Sequence, residues 1–172
     1  MKTLRLFSAV LGLLAVCALR AADSPNPASR VDVVFDHPEK FTDVKDGEPA
    51  TDRGRDAILG RIREYLVSRV SPMVPEGDRL AIIFTDIDLA GDYEPWRGPE
   101  WSNVRIVKDV YPPAFKFTYN VTDASGKVVK GGAEDLRDGG FQFRSTIDSS
   151  DALRYEKAVL NDWARSALRG LK

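Results

Sequence analysis

Residues 114–122 read Ala114-Phe115-Lys116-Phe117-Thr118-Tyr119-Asn120-Val121-Thr122. Four large apolar side chains alternate with four polar ones. That two-residue period belongs to a strand with one face on a core and the other toward water. Asp123-Ala124-Ser125-Gly126 follows as a turn, with Gly where a positive φ is needed. The chain should therefore return as a hairpin through Lys127–Leu136. Upstream, Val104–Val110 is another strand candidate. Before it, Arg79–Leu89 (RLAIIFTDIDL) is rich in β-branched and aromatic residues. Leu80, Ile82 and Phe84 alternate there with Ala81 and Ile83, which predicts a strand covered on both sides near the middle of a sheet. Its second half keeps one apolar face, Ile87 and Leu89, with Asp86 and Asp88 on the other.

Further out, Val31-Asp32-Val33-Val34-Phe35 is a β-branched run closed by His37-Pro38 and reads as the first strand. Thr51 is a good N-cap for a helix in which Ile58, Ile62, Tyr65, Leu66, Arg69, Val70 and Met73 recur at three- and four-residue spacing. Ser71-Pro72 ends it, because a residue before Pro avoids helical geometry. A last helix starts near Ser150-Asp151. It carries Leu153, Tyr155, Val159, Leu160, Trp163, Ala167 and Leu168 on one face, with Gly170 as its C-terminal cap. The order β-α-β-β-β-β-α predicts an α+β two-layer sandwich: one mostly antiparallel sheet of about five strands, with two helices on one face. Trp163 and Tyr155 should meet Ile58 and Ile62 above it.

At 172 residues, 43% hydrophobic and 30% charged, the chain has room for one domain and is neither disordered nor multiply membrane-spanning. Lys2 and Arg5, then fourteen uncharged apolar or small residues (Leu6–Leu19), then Ala21-Ala22, have the form of a cleaved secretory signal over residues 1–21. The polar, Pro-bearing residues 22–30 read as a disordered lead-in, and 31–172 as a single domain. Lipidation at Cys17 is a second option, although Val16 stands where a lipobox wants a small residue. Removing Lys2, Arg5 and Arg20 takes the basic count from 25 to 22 against 26 acidic residues, a net charge of −4. The exported domain then has no transmembrane segment, no thiol and no basic excess for nucleic acid or anionic lipid. One Cys and one His in the whole chain exclude most zinc sites, Cys/His nucleophiles and disulfide frameworks.

Several stretches together resemble a known family. They are Val33-Val34-Phe35 with Pro38-Glu39-Lys40-Phe41-Thr42-Asp43; Asp86–Asp92 with Glu94-Pro95; Val104-Arg105-Ile106-Val107; Leu136-Arg137-Asp138; and Tyr155-Glu156-Lys157 with Leu160 and Trp163. In order and over nearly the whole exported chain, they are similar to the bacterial exported family catalogued as domain of unknown function 3016. The resemblance implies a Gram-negative, periplasmic or otherwise exported single-domain protein. It implies no activity, cofactor or catalytic residue, and its pattern does not call for a His at position 37.

Two segments carry groups capable of chemistry. In Asp86-Ile87-Asp88-Leu89-Ala90-Gly91-Asp92-Tyr93-Glu94, the first two acids project from one strand face about 7 Å apart. With Asp92 and Glu94 they suggest a cation site or paired acid and base carboxylates. A calcium loop is excluded, since Ala90 and Arg97 fall at its fifth and twelfth positions. The alternative is that these acids stay in water, pair with Arg or cap the turn at Gly91. Next, Gly91–Asn103 holds Tyr93, Trp96 and Trp101, ring faces suited to stacking on a glycan or small ligand. The burial-based alternative folds both Trp rings over the second strand beside Leu80, Ile82 and Phe84.

Other features lead less far. His37 has no nucleophile at readable spacing and reads as a turn residue. Arg53, Arg55, Arg61 and Arg63 alternate with Asp52, Asp56 and Glu64, as on an ion-paired helix face. Gly54 and Gly60 are followed by Arg61-Ile62, not by the Lys-Ser/Thr of a phosphate loop. The Asn120-Val121-Thr122 sequon lies inside a strand. The expectation is thus a non-enzymatic envelope module that binds an unknown envelope protein or cell-wall component or contributes structurally, with a carboxylate-based hydrolase or cation site and a glycan-binding loop as the alternatives and no cofactor or metal assigned. Asp86, Asp88, Asp92, Glu94, Trp96 and Trp101 are the candidate binding residues.

Overall fold

The structure is a computed structural model that describes residues 29–144 and 148–171. The signal, Cys17 and most of the lead-in lie outside the described residues. The end of the lead-in is fastened to the fold: Ser29 Oγ donates to Val31 O (2.7 Å) and Arg30 to Val74 O (3.1 Å).

β1 (Val31–Phe35) runs parallel to β2 (Arg79–Asp88), and α1 (Asp52–Val70) lies on the chain between them. β2 pairs antiparallel with β5 (Ala114–Thr122), and β5 with β6 (Val128–Arg137), giving the order β1-β2-β5-β6. α2 (Arg154–Ala167) closes the chain. The fold is therefore the expected α+β arrangement, with a mostly antiparallel sheet. Val33, Ile82, Tyr119 and Gly132 form one row across its helix-side face; Phe35, Phe84, Phe117 and Glu134 form the next. Those apolar residues share one core with Leu59, Ile62, Leu66 and Val70 of α1 and with Val159, Leu160, Trp163 and Ala164 of α2. Among the described residues no helix is long and apolar enough to cross a membrane.

Four expectations need correction. The sheet has four strands, not about five. Of Val104–Val110 only β4 (Arg105–Ile106) is a strand, and it pairs with β3 (Asp92–Tyr93) in a separate ribbon. Val104, Val107 and Val110 are exposed, so no buried face exists to extend the pairing. Second, β2 is central without being covered on both sides, since Ala81 and Ile83 lie on the sheet's open face. Third, α1 buries Leu59 where Ile58 was expected, and Ile58 packs at the margin. Finally, Trp163 shares the core with Ile62 as expected and meets the sheet edge-on, 4.7 Å from Phe117 and 5.3 Å from Tyr119 between ring centroids, but Tyr155 does not join them. Tyr155 packs on Phe141 (4.8 Å). Polar ties also join the helices, such as Tyr65 Oη donating to Lys157 O (3.1 Å) and Arg69 to Asn161 (3.3 Å).

A bulge in β2 sets where the acidic segment points. The register slips between Phe84 and Asp86, leaving Thr85 over, so the core face passes from Leu80, Ile82 and Phe84 to Ile87 and Leu89. The same slip puts Asp86 and Asp88 together on the open face, opposite Lys116 and Ala114.

Candidate functional site

Beyond the bulge, β2 delivers the acidic segment to a junction of four loops. Each acid has its own partner there. Asp86 accepts from Thr42 N (2.7 Å) and Thr42 Oγ1 (2.9 Å). Asp88 stands 3.7 Å from Arg137. Burial pushes its carboxyl above the ordinary range, the negative charge of Asp43 adds to this, and Arg137 opposes it. Asp92 Oδ1 accepts from Tyr93 N (2.7 Å), closing the start of the ribbon. Glu94 is only 1% exposed, shut off from water by Arg97 and Lys108. It accepts from both and from Tyr111 Oη (3.1 Å). The Lys108 bond, followed by those of Arg97 and Tyr111, holds its carboxyl below the ordinary value.

The four predicted carboxylates thus face four different sets of groups. Among the described residues no cluster of three or more His, Cys, Asp or Glu is placed to hold a metal ion. A cleft of about 230 Å³ does open beside them, lined by Asp88, Asp92, Tyr111, Arg137, Thr42 and Lys45.

Two groups outside the sequence-based candidates organise the junction. Arg105 on β4 donates to both oxygens of Asp43 (2.7 and 3.2 Å), to Gly91 O (2.8 Å) and to Lys45 O (3.2 Å). Its guanidinium lies 4.7 Å from the centre of the Tyr93 ring. One cation therefore ties the β1–α1 connection to the ribbon. Burial works against its charge, but Asp43 outweighs that and raises its pKa. Gly91 turns the chain here at φ 80°, and a Cβ would come within 2.8 Å of Ile106 O, so the turn needs glycine.

The second group is Glu156 on α2, 1% exposed. Its Oε1 accepts from Ala90 N (2.7 Å), while Oε2 has no hydrogen-bond partner among the described residues. Burial pushes this carboxyl above its usual value, against the Ala90 bond. A signal for it existed in the sequence: Glu156 stands four residues before Leu160 and seven before Trp163, on the buried helical stripe. Asp43 and Arg105 gave no such signal, being 62 residues apart. The stretches that carried the family resemblance meet at this junction: Thr42-Asp43, Asp86–Asp92, Arg105, Arg137 and Glu156.

The aromatic loop divides. Tyr93 is buried and Trp101 half-buried, with Arg97 stacked 5.5 Å from its ring centre. Trp96 is 72% exposed. Trp96 therefore does not fold back over β2, and neither Trp lines the acidic cleft. His37 is an exposed turn residue at φ 53°, its Nδ1 3.0 Å from Glu39. Of the helix arginines, Arg55 pairs with Asp52 and Asp56, and Arg63 lies over the Phe35 ring and donates to Val33 O.

No curated protein and no solved structure matches the chain. One family does, over residues 29–166, described as a protein of unknown function (DUF3016). That span covers β1 through nearly all of α2, and the chain belongs to this family.

Proposed function

We propose that this protein is a non-enzymatic module of the bacterial envelope, exported by its N-terminal signal, that binds an envelope protein or cell-wall component. The observation that carries the reading is the fate of the acids. Asp86 accepts from the Thr42 amide and hydroxyl, Asp92 gives one oxygen to the Tyr93 amide, and Glu94 and Asp43 turn both of theirs to neighbouring cations. Catalytic carboxylates would converge on a shared space. The test is a panel of chromogenic esters, phosphates and glycosides, run on the processed protein beside Asp86→Ala and Asp88→Asn. No turnover above buffer is expected. Turnover that disappears in either variant, with the circular dichroism spectrum unchanged, would contradict the reading. Export is tested separately by the intact mass of protein released by osmotic shock, which should lack about the first 21 residues.

One observation favours a second reading, ligand binding through the loop. Trp96 is 72% exposed, on the same loop on which Arg97 stacks over the Trp101 ring. Such surface aromatics suit the apolar face of a sugar. Intrinsic fluorescence titrated with peptidoglycan fragments should then move in the wild type and stay still in Trp96→Ala. A wild-type spectrum that never moves rejects this reading.

A further inference from the structure

β6 is a ten-residue strand at the edge of the sheet. Natural edges of that length are usually shortened, interrupted by Pro or covered. β6 has no Pro, and its pairing with β5 is regular from Val121↔Lys130 to Ala114↔Arg137. Its middle bears two glycines, Gly131 and Gly132, both exposed, so little side chain shields the backbone. Asp138 N donates to Pro113 O (3.1 Å), which makes residues 113 and 138 a hydrogen-bonded pair. By the antiparallel alternation, residues 136, 134 and 132 then turn their peptide groups toward β5, and Gly131, Ala133 and Asp135 turn theirs outward.

On the helix side of this edge stand two opposite charges, Lys130 across from Val121 and Glu134 across from Phe117. Both are half-buried, and neither has an ion-pair partner among the described residues. They lie two residues either side of Gly132. A two-fold axis normal to the sheet and passing through Gly132 would lay a second β6 antiparallel to the first. Lys130 of each copy would then face Glu134 of the other, twice over. Gly131 and Ala133 would form reciprocal hydrogen-bonded pairs, and the Lys130–Glu134 pairs would fall at the non-hydrogen-bonded positions, where side chains come closest. Centring the axis on Ala133 instead sets Lys130 against Leu136 and Glu134 against Gly132, losing both ion pairs. Space exists for the approach: Trp163 rests α2 on β5, and a groove of about 500 Å³ remains between α2 and β6, lined by Glu134, Leu136, Val159 and Trp163 among others.

We propose that the β6 edge is a self-association surface on which a second copy of this chain pairs antiparallel about Gly132, giving an eight-stranded sheet with all four helices on one side. Sedimentation equilibrium of the processed protein tests it. The wild type should dimerise, and Lys130→Glu and Glu134→Lys should each weaken dimerisation at least tenfold by setting like charges opposite. The swapped double variant should recover the wild-type constant to within about threefold. Hydrogen exchange on the wild type gives an independent reading: amides of residues 131, 133 and 135 should gain protection with protein concentration, while 132 and 134 stay protected throughout. A wild type that is monomeric at every concentration would overturn the proposal, as would a dimer indifferent to both reversals or edge amides that never gain protection.

Discussion

Glu94 and Glu156 are both 1% exposed, and their surroundings drive them in opposite directions. Glu94 gains Lys108, Arg97 and Tyr111 and is held below the ordinary glutamate value of 4.5. Its ties therefore add stability that is present above pH 4.5 and lost as pH falls through the lower folded value. Glu156 gains one backbone bond in a dry site and is raised above 4.5. Its folded form is best accommodated protonated, so stability is greatest below pH 4.5 and declines as pH rises through the elevated folded value. Two outcomes are expected in urea unfolding measured against pH. Glu156→Gln, which can still accept from Ala90 N, should gain on the wild type as pH rises from 4.5 and then level off. Glu94→Gln should lose the stability that the wild type shows above pH 4.5, leaving a flatter acid limb. A Glu156→Gln profile parallel to the wild type would mean that the buried carboxyl has no raised folded-state value. At this scale the sequence announced Glu94 as an acid but not as a covered one, because Lys108 and Tyr111 reach it from 14 and 17 residues downstream.

Among the elements, those with a sustained period were legible and those without one were not. Nine alternating residues announce β5. The Thr51 cap announces α1, and the hydroxyl does accept from Gly54 N (3.0 Å). That hydroxyl also donates to Asp46 (2.8 Å), so Thr51→Ala should cost about 1–2 kcal/mol in chemical denaturation. A loss under about 0.3 kcal/mol would show that the loop, not the cap, starts the helix. β2 carried a subtler signal. Its buried residues sit at even positions through Phe84 and at odd ones from Ile87, a change of phase that requires a bulge and that Ala81 and Ile83 mask in the sequence. The ribbon of β3 and β4 was out of reach, since a two-residue strand contains no period and its Arg105 is held by Asp43, 62 residues upstream.

Over the whole molecule, the helices and the sheet's inner face form one core, with most of the open face and much of β6 exposed among the described residues. Local alternation could not tell that Ala81 and Ile83 would stay uncovered, because nothing in β2 itself says which layers pack on it. The charged junction at the end of β2 has a clear architectural part: it fastens the β1–α1 connection, the ribbon and α2 to the sheet. Its acids hold this geometry through their hydrogen bonds and ion pairs. A double-mutant cycle on Asp43→Asn and Arg105→Gln, read by urea unfolding, tests that most directly. Asp43 is 7% and Arg105 18% exposed at the side chain, so the pair is screened little. Each single variant should lose about 3 kcal/mol or more, with a coupling of at least about 2 kcal/mol between them. Single variants as stable as the wild type, with a coupling near zero, would contradict the account.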